Sequence, residues 1–147
     1  DRITYASADV TALELPDAAF DLVVFKSVIG ALGNKPDQER ALREIHRVLR
    51  PGGALLFAEN MAGTRAHAWL RKRFVRWDHY WRYLRMPEDR DLFDRFEEVH
   101  MGSTGVLAVL GRNETQRDLL ARCDAALQHA VPATWHYMVF AACVKGR

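Results

Sequence analysis

The stretch from residue 20 to residue 59 constrains the fold more than any other part of the sequence. Its first segment, residues 21–25, is a nearly continuous apolar run with β-branched side chains, which is typical of a strand buried on both faces of a parallel sheet. In the next segment, residues 36–49, apolar side chains recur at intervals of three and four residues, which predicts an amphipathic helix.

The helix is predicted to end at Pro51-Gly52-Gly53, because proline cannot continue a helix and glycine accepts a left-handed turn. Residues 54–58 then have the composition of a second buried strand. Strand, crossover helix and strand form a βαβ unit, whose two strands are parallel neighbours in one sheet. The sequence therefore predicts an α/β fold organised around a parallel sheet.

Size and composition indicate one soluble globular domain or part of one, since 49% of the 147 residues are hydrophobic and 27% are charged. The formal net charge of +2 gives no indication of a nucleic-acid partner. The apolar run at 137–144 has the length of a strand rather than of a membrane span. Cys123 and Cys143 form neither a close pair nor a metal-ligand spacing, so we expect a reduced, cytoplasmic setting and no metal site.

Residues 3–8 carry alternating strand formers, which predicts a further strand. Because this run begins within two residues of Asp1, we expect the chain to be part of a larger domain. Asp9 follows at the carboxyl end of the predicted strand, where ligands bind in α/β sheets. Two roles are open for its carboxylate. It caps a turn, which the residues alone favour, or it accepts a hydrogen bond from the exocyclic amine of a nucleoside.

Three segments, residues 8–9, 15–24 and 42–53, occur together in the order and spacing of the class I S-adenosylmethionine-dependent methyltransferases, and the chain resembles this family from its first strand to its last. The pattern is that of the broad group that includes the ubiquinone and menaquinone biosynthesis methyltransferases. The resemblance implies a Rossmann-like methyltransferase sheet, with parallel strands, an antiparallel carboxyl-terminal strand pair and no amino-terminal strands. Residues 1–147 would then be a partial methyltransferase domain.

The resemblance also implies a cofactor, S-adenosylmethionine, and residues that hold it. In the family, the acidic residue at the position of Asp9 contacts the adenine amine, and the backbone at Val10 contacts the ring. The loop after the central strand, here Lys26, Ser27 and Val28, lines the cofactor pocket. From the residues alone, these three positions are equally consistent with a strand end that packs under a helix.

Two departures from the family pattern bear on activity. Many relatives carry histidines where this chain has Gly30-Ala31, so those side chains have no counterpart here. The family's glycine-rich loop and the acidic residue that holds the ribose are also missing, and would belong to a half-domain upstream of Asp1. We therefore expect the chain alone to bind S-adenosylmethionine weakly at most and to be inactive by itself.

The implied reaction is displacement at the sulfonium methyl group by a small-molecule acceptor that the sequence does not identify. Such a reaction depends mainly on alignment and needs little acid–base machinery. This agrees with a sequence that contains no catalytic triad and no metal cluster. If a base is needed, four residues are candidates on the acceptor side: Glu59, His67, His79 and Tyr80.

Residues 63–85 form a basic, aromatic insertion with seven Lys and Arg residues, a single acid and three of the four tryptophans. Its apolar residues are predicted to share one helical face: Leu70, Phe74, Trp77, Trp81 and Leu84. Three roles are open: a helix packed on the sheet with solvated arginines, a lid over the acceptor pocket, or a membrane-surface helix if the acceptor is lipid-like. Nucleic-acid binding is disfavoured because the basic residues surround the helix.

A function from another class is also open. In this alternative the chain is a non-catalytic, truncated module that binds a partner or a membrane surface through residues 63–85. A dinucleotide-dependent oxidoreductase shares the early sheet pattern, but the expected antiparallel ending and the Leu49-to-Gly53 turn argue against it by resemblance.

The remaining segments predict a helix from Met86 to about Phe96, a strand at 97–101, a helix at 114–129 capped by Asn113, and a last strand at 135–144. Four side chains of the 114–129 helix are expected to face inward: Leu119, Leu120, Cys123 and Leu127. We also expect the strand at 3–8 to pair directly, in parallel, with residues 21–25. That pairing would cover an apolar strand edge that should not face water.

Overall fold

The computed structural model describes residues 3–74, 80–86 and 88–147. Its strands are β1 (Phe20–Lys26), β2 (Leu49–Asn60), β3 (Glu98–Thr104) and β4 (Met138–Val144), and its helices are α1 (Lys35–Val48), α2 (Arg65–Phe74) and α3 (Glu114–Leu127). The strand order is β1-β2-β4-β3, with β1 and β2 parallel and β4 antiparallel to both of its neighbours. The predicted α/β fold with an antiparallel carboxyl-terminal pair is confirmed.

The predicted βαβ unit forms as expected. Asn34 caps α1, because its side-chain oxygen accepts a hydrogen bond from the Asp37 N–H at 2.9 Å. The helix ends at Val48, before the predicted stop at residues 51–53, and Leu49 is already extended. Gly52 does adopt a left-handed φ of 75°, but it lies in the irregular first part of β2. At the same end, Lys145 Nζ donates hydrogen bonds to the carbonyl oxygens of His46 and Leu49, at 2.8 and 2.7 Å, so the end of α1 is tied to the last strand.

The hydrophobic core lies between one face of the sheet and α1. Phe57 is central to it and stacks between Phe25 and Phe93, with ring centroids 5.3 and 5.1 Å apart. The buried sheet residues around it are Leu55, Val139, Ala141 and Cys143. The opposite face of the sheet, called here the open face, consists of Leu22, Val24, Leu56 and Phe140, and all four side chains are exposed.

Residues 3–9 have no regular secondary structure, and Ile3 and Tyr5 are 77% and 88% exposed. The predicted strand at 3–8 and its pairing with residues 21–25 are therefore wrong, and β1 is an edge strand. Ordering a residue costs about 1–2 kcal/mol, whereas a backbone hydrogen bond returns about 1 kcal/mol net. A strand at residues 3–8 would pair with one neighbouring strand and bury two apolar side chains. These gains do not offset the free-energy cost of ordering its residues.

The insertion is only partly helical. Helix α2 ends at Phe74, residues 75–79 lie outside the described part, and Leu84 is in extended backbone. The Leu84 N–H donates to the Asn60 carbonyl at 3.1 Å, and the Leu84 carbonyl accepts from the Ala62 N–H at 2.9 Å. A single helical face from Leu70 to Leu84 is therefore wrong, because Leu84 pairs in parallel with Met61 beside the end of β2 and is fully buried there.

Helix α3 is capped by Asn113, whose side chain accepts the Gln116 N–H at 2.9 Å, as predicted. Three of the four side chains expected to face inward are exposed, namely Leu119 at 63%, Cys123 and Leu127, whereas Leu120 is half-buried. The buried side chain is Asp124, whose carboxylate accepts hydrogen bonds from the N–H groups of residues 107 and 108. These bonds fix which side of α3 meets the protein.

Of the helix predicted from Met86 to about Phe96, the described residues 88–96 contain one 3-10 turn, Arg90–Phe93, and the residues after it turn into β3. Pro87 lies outside the described residues. No helix within the described residues is long and apolar enough to cross a membrane.

Candidate functional site

The carboxyl ends of β1, β2 and β3 lie at the same edge of the sheet, because β3 and β2 are both antiparallel to β4. Ligands bind at this edge in α/β sheets. Three of the predicted cofactor residues lie here: Lys26 is the last residue of β1, and Ser27 and Val28 follow it in the loop.

Ser27 holds this loop in an unusual conformation. Its φ is 55°, a left-handed value that costs energy for a residue other than glycine and is often found at functional sites. Two contacts with the neighbouring strand maintain it. The Ser27 N–H donates to the Ala58 carbonyl at 2.9 Å, and Asn60 Nδ2 donates to Ser27 Oγ at 3.2 Å. The loop geometry is therefore imposed by β2.

Glu59, near the end of β2, is hydrogen-bonded to the same loop. Its carboxylate is fully buried and accepts hydrogen bonds from the Gly30 N–H at 3.3 Å and the Asn60 N–H at 3.0 Å. Burial raises the pKa of Glu59, and the backbone N–H groups that surround it oppose this rise. Because the carboxylate is enclosed by the chain itself, Glu59 is placed to position the loop rather than to meet an acceptor.

The loop is covered on its other side by the segment that crosses from the insertion. Trp81 packs on Gly30, and a Cβ at position 30 would overlap its indole ring. The Arg82 N–H donates to the Gly30 carbonyl at 2.8 Å. Gln38, fully buried on α1, joins both parts by donating from Nε2 to the carbonyls of Ile29 and Arg82, each at 3.1 Å. The loop is thus clamped between α1 and residues 81–82.

Asp9 and Val10 lie in a turn that precedes β1. Asp9 Oδ1 accepts hydrogen bonds from the N–H and the hydroxyl of Thr11, at 2.8 and 2.7 Å, and the backbone bond in particular lowers the pKa of Asp9. This is the turn-capping role. Oδ2 forms no hydrogen bond within the described residues and faces solvent. The second predicted role, acceptance of a hydrogen bond from the exocyclic amine of a nucleoside, therefore stays a prediction. Val10 is half-buried against the core.

The turn is held in place by a cluster that sequence reasoning missed. Arg47 on α1 donates to the carbonyls of Leu13 and Leu15, both at 2.8 Å, and pairs with Glu44 at 2.7 Å. Glu44 in turn accepts the Leu13 N–H at 3.0 Å, and its bond to Arg47 holds the pKa of Glu44 below its usual value. Nothing in the spacing of these residues indicates contacts between positions about thirty apart in sequence.

The four candidate bases have different surroundings. Both ring nitrogens of the buried His67 are engaged: Nδ1 accepts the Thr64 N–H at 3.0 Å, and Nε2 donates to the Val106 carbonyl at 2.7 Å. His67 therefore links α2 to the segment after β3 and offers no free nitrogen to an acceptor. Tyr80 is half exposed, and His79 lies outside the described residues.

A polar pair that the sequence did not indicate lies at the same edge. Ser103 Oγ is 2.8 Å from His136 Nδ1, and His136 is buried while its Nε2 has no hydrogen-bond partner within the described residues. Only the register of β3 against β4, which places Ser103 beside Val139, brings the two together. The described residues contain no group of three or more side chains placed to hold a metal ion.

Comparison with known proteins identifies sequences similar to part of the chain. Residues 1–57 match the family described as a methyltransferase domain. The ubiquinone/menaquinone biosynthesis C-methyltransferase of Hahella chejuensis is 48% identical over 59 residues, which is 40% of this chain and 22% of that protein. A thiol S-methyltransferase of Homo sapiens is 36% identical over 81 residues, 55% of this chain and 28% of that protein.

Solved structures match over nearly the whole chain. Phosphoethanolamine N-methyltransferase 2 of Haemonchus contortus, in complex with S-adenosyl-L-methionine, superposes on 95% of this chain and 36% of its own, with a TM-score of 0.62 and 14% identity. At that identity the similarity concerns the fold alone. The part matched is well under half the length of each of these three proteins.

Proposed function

We propose that this chain takes part in methyl transfer from S-adenosylmethionine to a small-molecule acceptor, because residues 1–57 match the methyltransferase-domain family and the chain shares its fold with a methyltransferase solved with S-adenosyl-L-methionine. The observation that carries the proposal is the loop at residues 26–30. It lies at the carboxyl edge of the sheet, has a left-handed Ser27, and is fixed by Glu59 and Gln38.

The residues present fit one part of the cofactor. Asp9 has a free, exposed carboxylate oxygen suited to an exocyclic amine, with the half-buried Val10 beside it to meet a ring. Residues 26–28 would line the side of the cofactor, and S-adenosylmethionine would supply an activated methyl group when bound. The sequence contains no glycine-rich loop of the family's kind, so we expect this chain alone to bind the cofactor weakly.

The contribution of the chain would be alignment. Methyl displacement requires the acceptor atom, the methyl group and the departing sulfur to lie in line, and holding reactants in that geometry accounts for much of the rate. Glu59 and Gln38 serve this purpose by fixing the loop beneath the reacting groups. His79 and Tyr80 remain the candidate bases, because Glu59 and His67 are enclosed by bonds to the chain itself.

The acceptor is inferred only as a small molecule, which includes the lipid-like acceptors considered from the sequence. The three similar proteins are named for different acceptors: a quinone-biosynthesis C-methyltransferase, a thiol S-methyltransferase and a phosphoethanolamine N-methyltransferase. No observation on the described residues favours the alternative of a non-catalytic module.

Titration of the isotopically labelled chain with S-adenosylhomocysteine, followed by backbone amide NMR, tests the proposal. We expect weak, saturable binding with shifts at residues 9–10 and 26–28. The variant Asp9→Ala should bind several-fold more weakly, because the adenine amine loses its acceptor. Asp118→Ala, which removes an exposed carboxylate on α3, is the matched control and should leave binding unchanged. Absence of shifts at both segments would overturn the proposal, and micromolar binding would contradict the expected weakness.

A further inference from the structure

A cavity of about 310 Å³ opens at the carboxyl edge of the sheet, on the core side. Its walls include three of the four methionines, Met61, Met86 and Met101, together with Val139 at the start of β4. Methionine side chains are flexible and polarisable, so such walls adapt to apolar groups of different shapes. The cavity is therefore suited to an apolar ring or a short branched chain.

The cavity adjoins the loop of the candidate site. Val139, which lines the cavity, pairs in register with Glu59, and the Glu59 carboxylate accepts a hydrogen bond from the Gly30 N–H of that loop. A molecule between the methionines would therefore lie near the residue that fixes the loop at which the methyl group is proposed to be held.

One wall of the cavity carries a polar group. Ser103 lines it, and the Ser103 hydroxyl is bonded to His136, whose Nε2 is buried without a partner within the described residues. Buried polar atoms without partners are uncommon, and each costs free energy until a ligand or water satisfies it. The serine–histidine pair therefore adds hydrogen-bonding capacity to an otherwise apolar wall.

The cavity also has a cation, Arg90. The two acids beside it in sequence are already paired: Asp89 binds Arg82 at 2.6 Å, and Asp91 binds Lys35 at 2.7 Å. Across residues 3–74, 80–86 and 88–147, no acidic side chain forms an ion pair with Arg90. Within the described residues the guanidinium therefore has no carboxylate paired with it, and it favours a carboxylate or phosphate on a bound molecule.

We propose that this cavity binds small amphiphilic anions, with the apolar body among the three methionines and the carboxylate or phosphate at Arg90. Its assignment as the acceptor pocket rests on the proposed function. The binding itself does not, and the two can be tested apart.

The methionines provide the test, because the fourth one, Met138, does not line the cavity and lies on the opposite face of β4 from Val139. The chain labelled with [methyl-¹³C]methionine is titrated with benzoate, phenyl phosphate and the neutral benzyl alcohol. We expect saturable shifts of three methyl signals and none of Met138. Proportional shifts of all four signals would show non-specific association and would overturn the proposal.

Charge selectivity is tested with Arg90→Gln. Because Arg90 is solvent-exposed, the variant should fold normally, and its affinity for both anions should fall about threefold, with that for benzyl alcohol unchanged. Arg95→Gln, an exposed arginine outside the cavity, is the matched control and should retain wild-type affinities. Equal affinities of the wild-type chain for benzoate and benzyl alcohol would contradict the assignment to anions.

Addition of S-adenosylhomocysteine to the benzoate complex separates the two proposals. An acceptor pocket requires both molecules to be bound together, with each set of shifts retained. If benzoate binds and S-adenosylhomocysteine does not, the cavity stands and the proposed methyl transfer falls. If S-adenosylhomocysteine displaces benzoate, the cavity is not a separate acceptor pocket.

Discussion

The two faces of the sheet have similar apolar composition and very different surroundings. On the core face, Phe57 and Val139 are buried beneath α1 and the turn at 90–93. On the open face, the adjacent residues of the same strands, Leu56 and Phe140, are exposed, and Val24 on β1 is 65% exposed. Successive side chains of a strand alternate between faces, so both sets are specified by the same segments of sequence.

This difference shows what a strand sequence encodes and what it does not. Near-continuous apolar strands are typical of sheets covered by helices on both faces. The sequence of β2 therefore specifies two buried faces, whereas the elements packed around it cover one. Burial is a property of the partners that a strand finds, and an apolar side chain on the open face contributes to stability only when something covers it.

The largest expected effect comes from comparing two phenylalanines on opposite faces. Phe57→Ala should lower the free energy of unfolding by about 3–5 kcal/mol, because it removes a ring stacked between two others and leaves a cavity. Phe140→Ala should cost less than about 1 kcal/mol, since its side chain is 49% exposed. Urea unfolding of both variants measures the difference, and similar losses would show that the open face is covered in solution.

An intermediate effect is expected where the core meets the candidate site. Gly30→Ala should cost about 1–3 kcal/mol, because the new methyl group would overlap the Trp81 ring. Urea unfolding of the single variants and of the double variant with Trp81→Ala measures the coupling. The double variant should lose less than the sum of the two single changes, since the overlap is then absent. Strict additivity would show that Trp81 does not pack on this loop.

The smallest effect concerns pH and the buried carboxylate. Burial raises the folded-state pKa of Glu59 above its usual value near 4.5, so the folded chain binds more protons than the unfolded chain between these two values. The stability that Glu59 contributes is therefore complete below its usual pKa and is lost as pH rises through the folded-state pKa. Relative to Glu59→Gln, the wild type should lose stability over this interval in urea unfolding. A constant difference from pH 4 upward would contradict the raised pKa.

The parts of the fold that were predictable are those fixed by neighbouring residues. The periodicity of α1 and the turn at Pro51-Gly52-Gly53 are local signals, and the βαβ unit follows from them. The segment at 3–8 has equally good strand formers, but a strand exists only with a partner, and no local signal states that the partner is absent. The prediction of one helical face that includes Leu84 was wrong for the opposite reason. Here a backbone partner at the end of β2 is present, and no local signal indicates it.

The residues of the candidate site were also only partly predictable, because some of their contacts join positions that are distant in sequence. Asp9 and the loop at 26–28 were found through resemblance to a family, which supplies information about distant contacts that one sequence lacks. Ser103 and His136 were not found, because their contact depends on the pairing of β3 with β4. The buried side of α3 was also missed, since it is set by hydrogen bonds from the backbone to Asp124 rather than by leucines.

The central position of β2 has a consequence for the order of folding. One of its edges pairs with β1, from which a single helix separates it, whereas the other pairs with β4, in a register that joins Ala54 to Val144. Contacts between residues so far apart in sequence form slowly, because a long loop must close before they bring any gain. During synthesis, β2 therefore leaves the ribosome long before its second partner exists. Its unpaired apolar edge is the place where we expect early intermediates to associate with one another or with chaperones.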